Sequence, residues 1–342
     1  MVNKMILHKK VLLFLMSLFP WYNAYGSELG IPLISQRHYV ACGVDADYNY
    51  LARKQEGYWT GFDVDMCRAV AQAVLQNSES FKLIPVKPAN IGKMLNSGAI
   101  DIMFGHNTLP PQIEAQQNIS AVDVMYYDKI VFAVRNPKDN ASSMKEYASE
   151  NVCVQDKSAD FDFLKQYNSK YALGFNFVKF PSKTAVKEAF YLKRCNLVVG
   201  DEVFIKSIVK DLKSGNAEVL PEEISLIGVK SYTAGNNNHF NTAMRAVFNA
   251  IKSASALNIS AVNIEAFKSD ATPSVQNMLG VNPQIWQKLG LAPDWMISYI
   301  SQFGGYSEII DRNLGYASPL SIDTSRNEPY GKGGMIIATP LL

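Results

Sequence analysis

Four short polar segments carry the side chains best suited to chemistry in this 342-residue chain. They are Asp45-Ala46-Asp47-Tyr48-Asn49-Tyr50, Gly105-His106-Asn107-Thr108, Gln155-Asp156-Lys157-Ser158 and Asp201-Glu202, and each follows an apolar run. Carboxylates, hydroxyls, amides and aromatic rings in such loops suit the recognition of a small polar molecule. Asp156 or Ser158 can cap the helix that follows, whose free N–H groups and positive dipole end favour an anion. Asp201, at the start of its own helix, serves either as a cap or as the partner of a cationic group. No GxSxG, HExxH or Walker pattern occurs, and no two cysteines are spaced CxxC. Neither His106 nor His239 has a neighbour in sequence that marks it as a base, and loop or surface roles are the simpler reading. His106 and Glu202 are the only candidates for a paired acid and base. No cofactor and no metal are expected.

The loops need a scaffold, and the periodicity supplies one. Tyr39 to Val44 reads as a strand, and Thr60-Gly61-Phe62-Asp63 as a capping-box-like start to a helix. That helix carries Phe62, Met66, Ala69, Val70, Ala73 and Val74 at three- and four-residue spacing. Phe81 to Lys87 and Ala99 to Phe104 are strands, with a short helix from Asn90 to Ser97 that Gly98 stops. The same βαβαβ order recurs with strands at Asn151 to Gln155, Phe175 to Phe180 and Asn196 to Val199, and helices near Ala159 to Asn168 and Lys183 to Arg194. Alternation of this kind predicts two small doubly wound α/β lobes with parallel strands, in accord with about 150 residues per domain. Ligands bind such sheets beyond the carboxyl ends of the strands, which is where the four polar loops fall.

Two further apolar runs, Ile130 to Val134 and Ile224 to Val229, read as strands that carry the chain into the second lobe and back. Lobe 1 is then discontinuous, formed by 36–133 and 230–342, and lobe 2 is 134–229. The cleft lies between them. After a helix near Thr242 to Ala254, the segment beyond Ser269 reads as short helices and a glycine-rich tail, whose packing the pattern does not fix.

Charge and cysteine usage bear on compartment. The 33 Lys and Arg exceed the 31 Asp and Glu, but Lys4, Lys9 and Lys10 sit in the first 26 residues without an acid, leaving a body with one more acidic than basic group. A nucleic-acid-binding body is not expected. The basic start, the apolar run Val11 to Trp21 and Ala24-Tyr25-Gly26 read as a secretory signal peptide over residues 1–26, cleaved on export. The apolar run falls short of the roughly 20 residues a membrane span needs. In an exported chain the even count of Cys42, Cys67, Cys153 and Cys195 favours disulfides, with three pairings open. Pairing Cys42 with Cys67 and Cys153 with Cys195 keeps each bridge within one half of the chain.

The segment Gly61-Phe62-Asp63-Val64-Asp65-Met66, followed by Val70-Ala71 and Val74, resembles the signature of the family 3 extracellular solute-binding proteins. The contexts of the four cysteines, and the tail segments Gly305-Tyr306-Ser307-Glu308, Arg312-Asn313-Leu314-Gly315, Ser318-Pro319-Leu320 and Gly331-Lys332-Gly333-Gly334, are similar to the general L-amino-acid-binding branch. The resemblance covers about residues 39 to 338. It implies a type II periplasmic binding protein fold that closes like a hinged trap on a polar amino acid. It also implies a monomeric, periplasmic carrier that docks on an ABC permease of the inner membrane.

Within the resemblance, Asp201 corresponds to the aspartate that takes the ligand's α-ammonium. The arginine that usually forks onto the α-carboxylate has no counterpart, since no arginine occurs between Arg68 and Arg135. Lys157 stands where the family usually has glycine, and either supplies the missing charge or fills the cleft. The implied ligand set is Asp201 for the ammonium, with Asn107, Thr108, Ser158 and Lys157 for the carboxylate and Gln155, His106 and Tyr50 beside them. Replacing Asp201 by alanine is expected to abolish ammonium binding and leave melting nearly unchanged. Two other readings are a non-transport sensor or interaction module of the same fold, motivated by the arginine-to-lysine exchange, and a dehydratase or lyase using His106 and Glu202.

Overall fold

The computed structural model describes residues 29–106, 108–138, 143–212, 217–270 and 272–339. The leader 1–26 and Asn107 lie outside the described residues. Strands β1 (Val40–Val44), β4 (Phe81–Pro85) and β5 (Ile102–Met103) form a parallel trio with β1 in the middle. A hairpin of β2 (Arg53–Gln55) and β3 (Tyr58–Thr60) stands apart as its own two-stranded sheet. Strands β7 (Asn151–Gln155), β8 (Asn176–Phe180) and β9 (Leu197–Asp201) form a second parallel trio with β7 in the middle. These are the two lobes.

Two long strands join the trios. β6 (Ile119–Arg135) and β10 (Ala217–Ala234) pair antiparallel from Ala217 opposite Arg135 to Ala234 opposite Ile119, with register shifts along the ladder. β10 bonds β5 and β6 bonds β9, both antiparallel, giving one eight-stranded sheet in the order β4-β1-β5-β10-β6-β9-β7-β8. The connecting strands far exceed the apolar runs Ile130 to Val134 and Ile224 to Val229. Away from the buried end of each strand, β6 mixes buried with half-buried residues and β10 mixes half-buried with exposed ones, so the apolar pattern is diluted there.

Helix α1 (Ile31–Arg37) leads into β1, and α2 (Phe62–Leu75) follows β3. α2 is buried along most of its length, from Phe62 to Ala73. Its start differs from the capping box read in the sequence: the N-cap is Gly61 at φ 128°, with no side-chain cap. Only glycine fits, because a Cβ there would lie 2.1 Å from the carbonyl oxygen of Leu51. Helices α3 (Ile91–Asn96) and α4 (Pro111–Gln117) complete this part, and α5 (Ala159–Tyr171), α6 (Lys183–Tyr191) and α7 (Glu202–Asp211) cover the second trio. Cys42–Cys67 ties β1 to α2, and Cys153–Cys195 ties β7 to the turn before β9. Bridges closing loops of 25 and 42 residues contribute roughly 3.5 to 4 kcal/mol each on a chain-entropy model.

The long α8 (Asn238–Ala256) returns the chain to the first lobe, followed by α9 (Ile264–Phe267), α10 (Pro273–Met278), α11 (Gln284–Lys288), α12 (Trp295–Phe303) and α13 (Tyr306–Asn313). This extension is packed, with Trp286, Trp295, Tyr299 and Tyr306 fully buried. The Tyr299 hydroxyl donates to the Asp65 carbonyl of α2 at 2.7 Å, and Arg312 and Asn313 both donate to the Asp65 carboxylate at 2.8 and 2.7 Å. The tail segments that carried the resemblance therefore brace the helix that carries the signature. No helix among the described residues is long and apolar enough to cross a membrane.

Candidate functional site

Three helix N-termini of the second lobe converge at the carboxyl ends of its strands. Asp160 lies in the first turn of α5, Lys183 is the first residue of α6, and Asp201 caps α7 through Oδ1, which accepts the Phe204 N–H at 2.8 Å. The carboxylates suit the positive ends of their helices. A lysine there opposes the dipole, and burial adds to its cost. Both costs are offset by geometry: the Lys183 ammonium donates to Asp160 and, at 2.6 Å, to Oδ2 of Asp201. Phe204 and Tyr48 place ring faces 4.6 and 5.7 Å from the same nitrogen. Burial alone would lower the Lys183 pKa, but Asp160 and Asp201 outweigh it and hold the group charged.

The first lobe reaches the same spot. The Tyr48 hydroxyl donates to Asp201 Oδ2 at 2.5 Å, and the His106 ring stacks on Tyr48 with centroids 4.9 Å apart. His106 Nε2 is 2.8 Å from Asp128 Oδ2 on β6 and 3.6 Å from Asp201 Oδ1. Burial pushes the His106 pKa down, yet Asp201 and Asp128 together raise it to about 8. Asp201 is fully buried, which would raise its pKa, but His106, Lys183 and Tyr48 overcome this and hold it below the usual carboxylate range. Asp63, fully enclosed at the start of α2, is raised to about 8 by burial and remains largely protonated at neutral pH. Besides Tyr48 on Asp201, Tyr50 donates to Asp211 at 2.8 Å and Thr184 to Asp47 at 2.6 Å, so the loop 45–50 bridges the two lobes three times.

The eight residues read from sequence divide clearly. Asp201 and His106 meet at the centre. Tyr50 is half-buried and bonds Asp211 rather than Asp201, with Arg53 4.7 Å from its ring centroid. Ser158 caps α5, accepting the Phe161 N–H at 3.2 Å and donating to the Gln155 carbonyl at 2.7 Å. Gln155 and Thr108 are half-buried, and Asn107 lies outside the described residues. Lys157 is exposed, in the left-handed conformation at φ 55° that glycine adopts freely. The cation beside Asp201 is Lys183, not Lys157. Sequence reasoning missed Lys183, Asp160, Asp128 and the contact of Tyr48. The available signal was a lysine directly after a serine N-cap, at the wrong end of a helix for its charge.

The acid and base pairing of His106 with Glu202 is not assembled. His106 is held by Asp128, while Glu202 pairs with Lys129 at 3.1 Å. His106, Asp128 and Asp201 place one donor atom each within 4.8 Å of one another, but Lys183 and Tyr48 already occupy Asp201. What the arrangement does is bind charge: three carboxyl groups (Asp128, Asp160, Asp201) face two cationic side chains (His106, Lys183), so the cluster is one positive charge short.

The family model for bacterial extracellular solute-binding proteins, family 3, matches residues 40–271. The chain belongs to this family. Its members are binding proteins that work outside the cytoplasm. Relatives include the general L-amino acid-binding periplasmic protein AapJ of Rhizobium johnstonii, 29% identical over 90% of this chain and 91% of that protein. The glutamate/glutamine/aspartate/asparagine-binding protein BztA of Rhodobacter capsulatus is 26% identical over the same shares. Among solved structures, a periplasmic binding protein of an ABC transporter from Brucella ovis, with glutathione bound, superposes with a TM-score of 0.85. It is 25% identical and covers 91% of this chain and 99% of its own. An ancestral arginine-binding protein bound to arginine covers 62% of this chain and 91% of its own, with a TM-score of 0.51 and 20% identity, and supports the two-lobe type II fold. The fold read from the alternating strands and helices is the fold found.

Proposed function

We propose that this family 3 protein captures a solute with an amino-acid head group between its lobes and delivers it to the permease of an ABC importer. The solute is a polar amino acid or a short peptide such as glutathione. Lobe 1, formed by 36–133 and 230–342, and lobe 2, 134–229, close on it after residues 1–26 have been removed on export to the periplasm, where the protein acts as a monomer without enzymatic activity. The observation that carries this reading is Asp201: a buried carboxylate at the carboxyl end of β9, at the crevice where such sheets bind ligands, in a cluster short of one positive charge. The ligand ammonium supplies that charge through short charge-assisted hydrogen bonds.

Calorimetric titration of refolded, ligand-free protein against the common amino acids and glutathione is the test. At least one saturable heat is expected, and silence across the panel overturns the proposal. Alanine at position 201 is the wrong probe, because it also removes the α7 cap, costing about 1 kcal/mol, and a partner of Lys183. Asp201→Asn keeps an oxygen for the cap and removes the charge. It is expected to weaken binding at least 100-fold.

A sensor without a transport role is favoured by one observation, the occupation of Asp201 by Lys183. Protein that binds no panel member, yet stays folded and closed, would support it.

A further inference from the structure

We propose that Lys183 is a tethered ammonium that competes with the ligand for Asp201 and thereby sets the affinity of the cleft; the inference rests on the function proposed above. The seat around its Nζ has the parts a free ammonium needs: two buried carboxylates, Asp160 and Asp201, and two ring faces, Phe204 and Tyr48. A carboxylate offers about four acceptor positions. On Asp201, Oδ2 takes Lys183 at 2.6 Å and Tyr48 at 2.5 Å, and Oδ1 takes the Phe204 N–H at 2.8 Å, with His106 Nε2 3.6 Å away and bonded to Asp128 instead. A ligand ammonium therefore reaches Oδ2 only by displacing Lys183 or Tyr48.

Lys183 is the group that can leave without stranding its charge. Phe204 N–H is fixed by the helix, and His106 has its own closer partner in Asp128. Lys183 has a second carboxylate, Asp160, and all three groups belong to the second lobe, so it can withdraw onto Asp160 without any movement between lobes. Gly200 lets the lysine and the Phe204 ring pack close against β9, since a Cβ there would lie 3.4 Å from the lysine nitrogen and 2.9 Å from the ring. In the ligand-free chain the lysine fills the seat and Tyr48 closes over it. Ligand binding exchanges one ammonium for another on the same oxygen, and the net gain is reduced by whatever Lys183 gives up.

The test compares wild type, Lys183→Met and the double variant Asp160→Asn/Lys183→Met by calorimetry on refolded protein. The double variant removes one charge of each sign, so it keeps the cluster's balance and separates competition from a simple gain of negative charge. The probes are the tightest-binding amino acid of the panel and L-glutamate alongside glutarate, which lacks only the amino group. In both variants the amino acids are expected to bind at least tenfold tighter than in wild type, with glutarate unchanged in the charge-balanced double variant. Unchanged or weaker amino-acid binding in a double variant whose melting matches wild type overturns the inference alone. An equal gain for glutarate does so too, because it would mean that Lys183 merely occupied space. Silence of all three chains toward every probe overturns the proposed function and this inference with it.

Discussion

The hydroxyl of Tyr48 reaches across the cleft to Oδ2 of Asp201 at 2.5 Å, joining the first lobe to the ammonium seat of the second. The same oxygen receives Lys183, so closure and charge compensation meet on one atom. Tyr48→Phe removes the hydroxyl and keeps the ring that stacks on His106. A hydrogen bond to a charged group contributes roughly 1.5 to 3 kcal/mol, so the ligand-free variant is expected to populate open forms. Small-angle X-ray scattering should show a larger radius of gyration than wild type, and identical curves would argue against a latch at this position.

Stability is expected to fall as pH rises from 6 to 9. His106 has a folded-state pKa of about 8 against 6.5, so its contribution is complete below pH 6.5 and is lost as pH climbs through 8. The shift corresponds to about 2 kcal/mol. Asp63, raised from 3.8 to about 8, acts in the same direction: the folded state holds its proton, and from pH 4 upward that retention costs increasing stability until the group ionises near 8. The other charged groups that influence His106 are Asp128, Asp201 and Lys183, and Asp45 influences Asp63. Melting temperatures across this range should decline for wild type. His106→Gln and Asp63→Asn should each flatten the decline, and parallel profiles for all three proteins would contradict the assignment.

Gly61 holds the start of α2 against the Leu51 carbonyl. Gly61→Ala places a methyl group in that 2.1 Å gap and a side chain on a residue at φ 128°. Strain of this kind costs on the order of 1–3 kcal/mol, and the clash adds to it. Thermal unfolding should show a clear loss of melting temperature, with ligand binding weakened as the 45–51 loop shifts. A variant that melts with wild type would mean the backbone there relaxes freely.

The strands and helices of both lobes were legible because each buries a face and carries its period in plain view. Asn151–Gln155 is the strand the alternation predicts, and both disulfides follow from keeping each pair in one half. The connecting strands were read too short because Ser120 and Asp128 in β6 and Glu218 in β10 break the apolar run while remaining in the ladder, and Asp123 and Glu222 fall at its register shifts. Asp201 was legible as a residue poised between two roles, and it fills both: Oδ1 caps α7 and Oδ2 takes the Lys183 ammonium. Lys183 was not, because its role comes from the meeting of three helix ends that are distant in sequence. The segment after Ser269 reads as loosely punctuated short helices. Its cohesion comes from long-range contacts such as Tyr306 with the Met125 carbonyl and Asn327 with the backbone of Tyr127, which no local pattern records.

Ala217 lies directly opposite Arg135, at the base of the ladder between β6 and β10. The chain that builds the second lobe thus leaves and re-enters at neighbouring points, which makes that lobe, in evolutionary terms, a replaceable cassette. Segments whose two ends lie side by side can be exchanged or remodelled while the parent fold keeps its own core. The half of the cleft that holds Asp160, Lys183 and Asp201 can therefore change its chemistry by wholesale substitution, while α2 and its C-terminal bracing stay as they are.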